Sequence, residues 1–132
     1  MKYRFKFRVV YYNDVEKKYF IFEPDLISAD GTARAYSHGE SGADEYYDTV
    51  TLNQCTGLKD KNGKLIYEGD IIKDLIVPEH PYIVEWFKGE FKLKSTVSNS
   101  YLKFDTTQQE VIGNIYENPE LLEEYNGKRN KW

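Results

Sequence analysis

Residues 54–73 constrain the fold of this chain more than any other stretch, because they set two points of special backbone geometry between apolar runs. Asn62-Gly63 is the strongest reversal signal, since a tight two-residue turn needs positive φ at both central positions and Asn and Gly tolerate that best. A few residues on, Glu68-Gly69-Asp70 breaks the apolar run, and Gly69 is free to take angles closed to other residues. Ile71-Ile72 then opens a β-branched strand. Turn, short extended piece, kink and strand, in that order, suit a small, strongly bent β-barrel with glycine at a corner. No chemistry follows from this order.

The rest of the chain reads the same way. Tyr3-Arg4-Phe5-Lys6-Phe7-Arg8-Val9 alternates strictly, the period of a strand with two unlike faces. Tyr3, Phe5, Phe7, Val9 and Tyr11 are expected to face a core, with Lys2, Arg4, Lys6 and Arg8 opposite, roughly 6.6–6.8 Å apart along the strand. Polar residues 13–18 read as a hairpin loop and 19–22 as its return strand, ended by Pro24. Residues 24–49, rich in Ser, Gly, Asp and Ala, offer little apolar surface to offset ordering and read as a long, partly disordered loop, with room for a short strand near 32–36. A loop this long is usually either functional or mobile.

Further strands are expected at 50–52, at the β-branched run 71–77, at 82–87 and 91–94 around the Lys88-Gly89-Glu90 loop, at 101–104 and at 111–116. Asn118-Pro119-Glu120 predicts a short helix over 119–125, with Asn118 as cap and Pro119 at the first helical position. Residues 126–132 read as a flexible tail. Twelve Tyr and a single Met, in a chain that is 16% aromatic, agree with strands over helices, so the expected class is all-β. With 132 residues the chain fits one domain, placed at 1–125.

Three blocks resemble the YopX family of phage and prophage proteins. The first is Phe5-Lys6-Phe7-Arg8, and the last is Val111-Ile112-Gly113-Asn114-Ile115-Tyr116-Glu117-Asn118-Pro119-Glu120-Leu121-Leu122. The central one is Thr56-Gly57-Leu58-Lys59-Asp60-Lys61-Asn62-Gly63-Lys64, continued by Ile66-Tyr67-Glu68-Gly69-Asp70-Ile71. They occur in the right order and cover nearly the whole chain. The resemblance implies a small SH3-like barrel core of phage origin, with no catalytic residues to carry over.

Candidate chemistry is sparse. His38, His80 and Cys55 lie far apart with no ligand spacing, so no metal and no cofactor are expected. Asp60, Glu68 and Asp70 sit beside turns, where carboxylates usually accept backbone N–H bonds. The lone Cys55 reads as a buried, inert thiol in a reducing compartment. No apolar stretch is long enough to cross a membrane, and the expected location is the cytoplasm of a bacterial host. Trp86 is read as core, or else as a hot-spot aromatic at a partner surface. Lys2, Arg4, Lys6 and Arg8 are either a solvated face or a phosphate-binding stripe, although a net charge of −4 gives no global attraction to nucleic acid. Two functions stay open: a non-enzymatic accessory module that binds a protein partner or itself, and a nucleic-acid-binding barrel using the N-terminal basic strand.

Overall fold

The computed structural model describes residues 7–24, 26–27, 34–38, 44–48 and 51–122, and of 26–27, 34–38 and 44–48 only the backbone. Among the described residues the regular structure is β-strand, apart from one helical turn at residues 120–122, as the all-β expectation requires. Contacts gather into two compact units, one of residues 5–54 and one of residues 1–4 with 55–132.

In the first unit β1 (Phe7–Asn13) pairs antiparallel with β2 (Lys18–Phe22) on one side and with the start of β6 (Thr51–Lys59) on the other. The β1–β2 loop forms where expected: Asn13 Oδ1 accepts the N–H groups of Val15 and Glu16, so a side chain stands in for the missing ladder. Val9 is fully buried against Tyr11, Phe22 and Leu52. Residues 24–49, read above as loop with at most one short strand, contain three: β3 (Leu26–Ile27), β4 (Arg34–His38) and β5 (Asp44–Asp48). They form an antiparallel sheet in the order β3-β4-β5. Composition misses them because backbone pairing needs no apolar run, and six of the ten β4–β5 residues are charged or small.

The second unit is built on β7 (Leu65–Tyr67), β8 (Asp70–Asp74), β9 (Tyr82–Phe87), β10 (Glu90–Ser95), β11 (Tyr101–Leu102) and β12 (Gln109–Asn114). Its five-stranded sheet has the order β11-β10-β9-β8-β12: a meander of four strands, with the fifth returning beside the first. Ile66, Ile72, Tyr82, Val84 and Leu93 form the core, backed by Phe91, Leu102, Phe104 and Val111. The expected strand over 71–77 ends early, at Asp74. There the carboxylate Oδ1 accepts the N–H groups of Ile76 and Val77 and folds the chain out of the ladder, leaving Leu75 and Ile76 exposed.

Gly69 takes positive φ as expected (87°), whereas the Asn62-Gly63 turn differs in kind from the sequence reading. Asn62 does not take positive φ. Gly63 alone does (+83°), its N–H donating to the Asp60 carbonyl while Asp60 N–H donates to the Lys64 carbonyl, which is a three-residue loop closing on a glycine bulge. Two consecutive residues with positive φ occur instead at Lys88 (51°) and Gly89 (86°), joining the paired residues Phe87 and Glu90. Lys88 is a poor choice for that angle, which favours Gly and Asn.

Near the end of the sheet, a Cβ added to Gly113 would lie 2.5–2.9 Å from the Asn118 side chain. Asn118 Oδ1 accepts the Asn114 N–H (3.1 Å), so its oxygen points back to β12 and not forward as the helix cap expected above. Leu121 and Leu122 N–H groups donate to the carbonyls of Asn118 and Pro119, giving a tight first turn. Residues 123–125 of the expected helix, and the tail, lie outside the described residues. Gly113→Ala is expected to cost about 1–3 kcal/mol, because the neighbouring Cβ cannot yield without losing this bond. An unchanged urea midpoint for the variant contradicts that packing.

Candidate functional site

The family-like central block is scaffold from end to end. Thr56 Oγ1 donates to the Ile66 carbonyl (2.8 Å) and accepts Leu58 N–H (3.1 Å), bridging the gap where β6 bulges at Gly57 (φ +81°). Asp60, 6% exposed, accepts the N–H groups of Asn62, Lys64 and Val111, each at 2.9 Å. Burial pushes its carboxyl up, but these bonds and the Lys64 ammonium outweigh that and hold it below the usual aspartate value. Asp70, 1% exposed, accepts Tyr67 N–H at 2.8 Å across the Gly69 turn. The expectation for turn carboxylates thus holds at Asp60 and Asp70.

A second polar node lies under β12. Gln109, fully buried, donates from Nε2 to Asp74 Oδ2 (3.0 Å) and to the Lys103 carbonyl (3.0 Å), while its Oε1 accepts Asp105 N–H (2.9 Å). Burial raises the Asp74 carboxyl too, and again its donors, Gln109 first, bring it below the ordinary value. His80 Nε2 lies 2.9 Å from Ser95 Oγ, an arrangement that in isolation resembles a nucleophile and its base. Ser95 is 4% exposed and its oxygen also accepts Val97 N–H, so the pair pins the loop after β10. Cys55 is buried, as expected. Among the described residues no group of three His, Cys, Asp or Glu is placed to hold a metal ion.

Of the N-terminal basic stripe, Arg8 alone lies among the described residues. Lys2, Arg4 and Lys6 lie outside the described residues. Arg8 is 8% exposed and its Nε donates to Asn53 Oδ1 (3.0 Å). The alternation fails because Arg8, Val9 and Val10 are buried in succession, which happens when both faces of a strand are covered.

Among the described residues, exposed Tyr12 and Tyr19 lie on β1 and β2, and the other three exposed aromatics, Trp86, Phe87 and Tyr101, lie on the β9–β10–β11 part of the five-stranded sheet. Trp86, read from sequence as core or interface, is 47% exposed and meets Phe91 edge to face at 4.8 Å, at the open end of the core face. The cross-strand register places Phe87, Glu85, Lys92, Lys94 and Tyr101 on the other face. There the Phe87 and Tyr101 rings stack at 5.8 Å, and Lys92 Nζ lies 5.3 and 5.1 Å from their centres. Lys88 and Lys94 approach Phe87 and Tyr101 at 5.2 and 5.6 Å. Tyr101 donates to Glu85 Oε1 (3.3 Å); desolvation and the Glu85 charge raise its hydroxyl pKa, so it remains a donor at neutral pH. At the β10–β11 edge a groove of about 420 Å³ is lined by Phe91, Leu102 and Phe104 with Lys92, Lys103, Tyr101 and Glu90 around it. The sequence carried the signal: pairing across Lys88-Gly89 puts Phe87 beside the Lys92 face and Trp86 opposite Phe91.

No curated protein matches the chain. Among solved structures it is similar to protein EF1440 from Enterococcus faecalis, with 27% identity, a TM-score of 0.57, and coverage of 89% of this chain and 96% of that one. The family described as YopX protein matches residues 6–123, nearly the whole chain. The three blocks read from the sequence fall within or overlap that span, and the chain belongs to the YopX family.

Proposed function

We propose that this chain is a non-enzymatic accessory module of a phage or prophage, acting in the cytoplasm of its host, which engages a protein partner or a second copy of itself through the β9–β11 surface. The observation that carries this reading is the stacked, half-exposed pair Phe87 and Tyr101 with lysines over their rings, together with half-exposed Trp86 on the opposite face of the same strands. Aromatics of this kind are enriched where proteins meet. Lys88 adds support, since a lysine with positive φ at the tip of this surface is a strained choice where Asn or Gly fits, and strain of that sort collects at functional sites. The engaged carboxylates of Asp60, Asp70 and Asp74 favour a structural over a catalytic role for the polar interior. The meander with a returning fifth strand is the order that an SH3-like barrel uses, and it supports such a core.

Trp86→Ser and Phe87→Ser are expected to hold the urea stability within about 1 kcal/mol of wild type, as exposed positions do, while abolishing self-association or retention of a protein from infected host extract. The second reading, nucleic-acid binding by the N-terminal strand, predicts an electrophoretic shift of DNA or RNA that weakens steeply with salt. The burial of Arg8 against Asn53 counts against it. We expect wild type to give no shift at physiological salt. A submicromolar, salt-sensitive shift overturns the protein-interaction reading.

A further inference from the structure

We propose that the groove at the β10–β11 edge is the docking site of an acidic peptide segment from a partner protein, with an apolar side chain seated on Phe91, Leu102 and Phe104 and a carboxylate on Lys103. The inference rests on the protein-interaction reading above and names the partner's chemistry. The floor is apolar, and the groove, at about 420 Å³, has room for apolar side chains of a bound segment.

Charge selects the occupant. Lys92 and Lys103 line the groove against a single carboxylate, Glu90, so it is locally positive although the whole chain carries −4. Glu90 pairs with Lys92 at 3.3 Å, and Glu85 accepts the Tyr101 hydroxyl. Lys103 is exposed and has no ion-pair partner among the described residues. A basic segment meets only repulsion here, and a neutral one leaves Lys103 uncompensated. A single-stranded nucleic acid fits less well, because the ring faces it stacks upon are occupied. Phe87 and Tyr101 stack on each other, and the ammonium groups of Lys88, Lys92 and Lys94 cover them. Among the described strands β11 is last in its sheet, so an extended segment can also pair alongside it.

The test is fluorescence anisotropy with a labelled peptide holding Leu-Phe between flanking Asp and Glu, with the same peptide carrying Lys in place of every acid, and with a short oligothymidylate. Saturable binding of the acidic peptide that weakens with salt is expected, with the basic peptide and the oligonucleotide much weaker. Lys103→Glu, at an exposed position, is expected to weaken the acidic peptide about tenfold. Phe91→Ala is expected to weaken it as well, with a urea titration establishing that the variant is folded. Equal binding of the acidic and basic peptides, absence of saturable binding by the acidic one, an unaffected Lys103→Glu variant, or tighter binding of the oligonucleotide overturns the proposal. If the acidic peptide fails while partner capture still depends on Trp86, the groove assignment falls and the interaction reading stands.

Discussion

Gly69→Val is expected to lower the urea midpoint sharply, with a loss of about 2–3 kcal/mol. Gly69 joins β7 to β8 with φ +87°, the angle of the third residue in a type II turn and one that a β-branched residue resists. The turn cannot relax without further loss, because it is tied on both sides. Gly69 N–H donates to the Val84 carbonyl (2.8 Å), and its carbonyl accepts Ile115 N–H (3.0 Å), joining the corner to β9 and to the turn after β12. Rotating the backbone to suit valine pulls on both bonds and on the Asp70 carboxylate that accepts Tyr67 N–H. Gly69→Asn serves as the control, since Asn tolerates positive φ, and it is expected to lose clearly less. Equal midpoints for wild type and Gly69→Val would show that the corner carries no such constraint.

That corner was legible in the sequence because its cause is local: a glycine between an apolar run and a β-branched pair admits few backbone solutions. The same holds for the β9–β10 hairpin around Lys88-Gly89 and for the β1–β2 loop, both fixed by residues within a few positions of each other. Asn62-Gly63 shows where local reasoning ends. The reversal forms as expected, but its type is set by Asp60, which reaches Val111 across 51 positions of sequence and whose own backbone closes on Lys64. Once Asp60 takes both Asn62 and Lys64 N–H groups, the loop has room for only one residue at positive φ.

Burial was the less legible quantity. Alternation alone cannot tell a strand with one wet face from one covered on both, and so Arg8 reads as surface although it is buried with Asn53. Trp86 errs in the opposite direction. It continues the inward register of Tyr82 and Val84, but it lies beyond the last buried pair, Val84 and Leu93, where the core has run out. The family signature also explains why resemblance yields a fold and no chemistry: Thr56, Gly57, Asp60, Gly63, Gly69 and Asp70 each serve a turn or a bulge. The candidate surface at Trp86, Phe87 and Tyr101 lies outside those blocks, so function has to be read from it separately.

Asp60→Ala is expected to cost at least about 3 kcal/mol at neutral pH, since it strands the N–H groups of Asn62, Lys64 and Val111 away from a charged acceptor. The third of these bonds has a second consequence. Val111 N–H and the Gln109 carbonyl lie on the outer edge of β12, where the Asp60 carboxylate and Lys61 N–H (3.0 Å to Gln109 O) occupy them, so the hairpin closes an edge that would otherwise be open to pairing. The variant is therefore expected to aggregate more readily as well as to unfold more readily. Its pH dependence separates the charge from the packing. Because the folded carboxyl of Asp60 lies below the ordinary 3.8, the unfolded chain takes up the proton first as acid is added. The stabilisation is complete above about pH 4 and is lost as pH falls through the lower, folded value. Asp74, also depressed, contributes in the same direction and remains in the variant. Urea midpoints measured down the acid range are expected to fall more steeply for wild type than for Asp60→Ala, and parallel curves would show that Asp60 acts by packing and not through its charge.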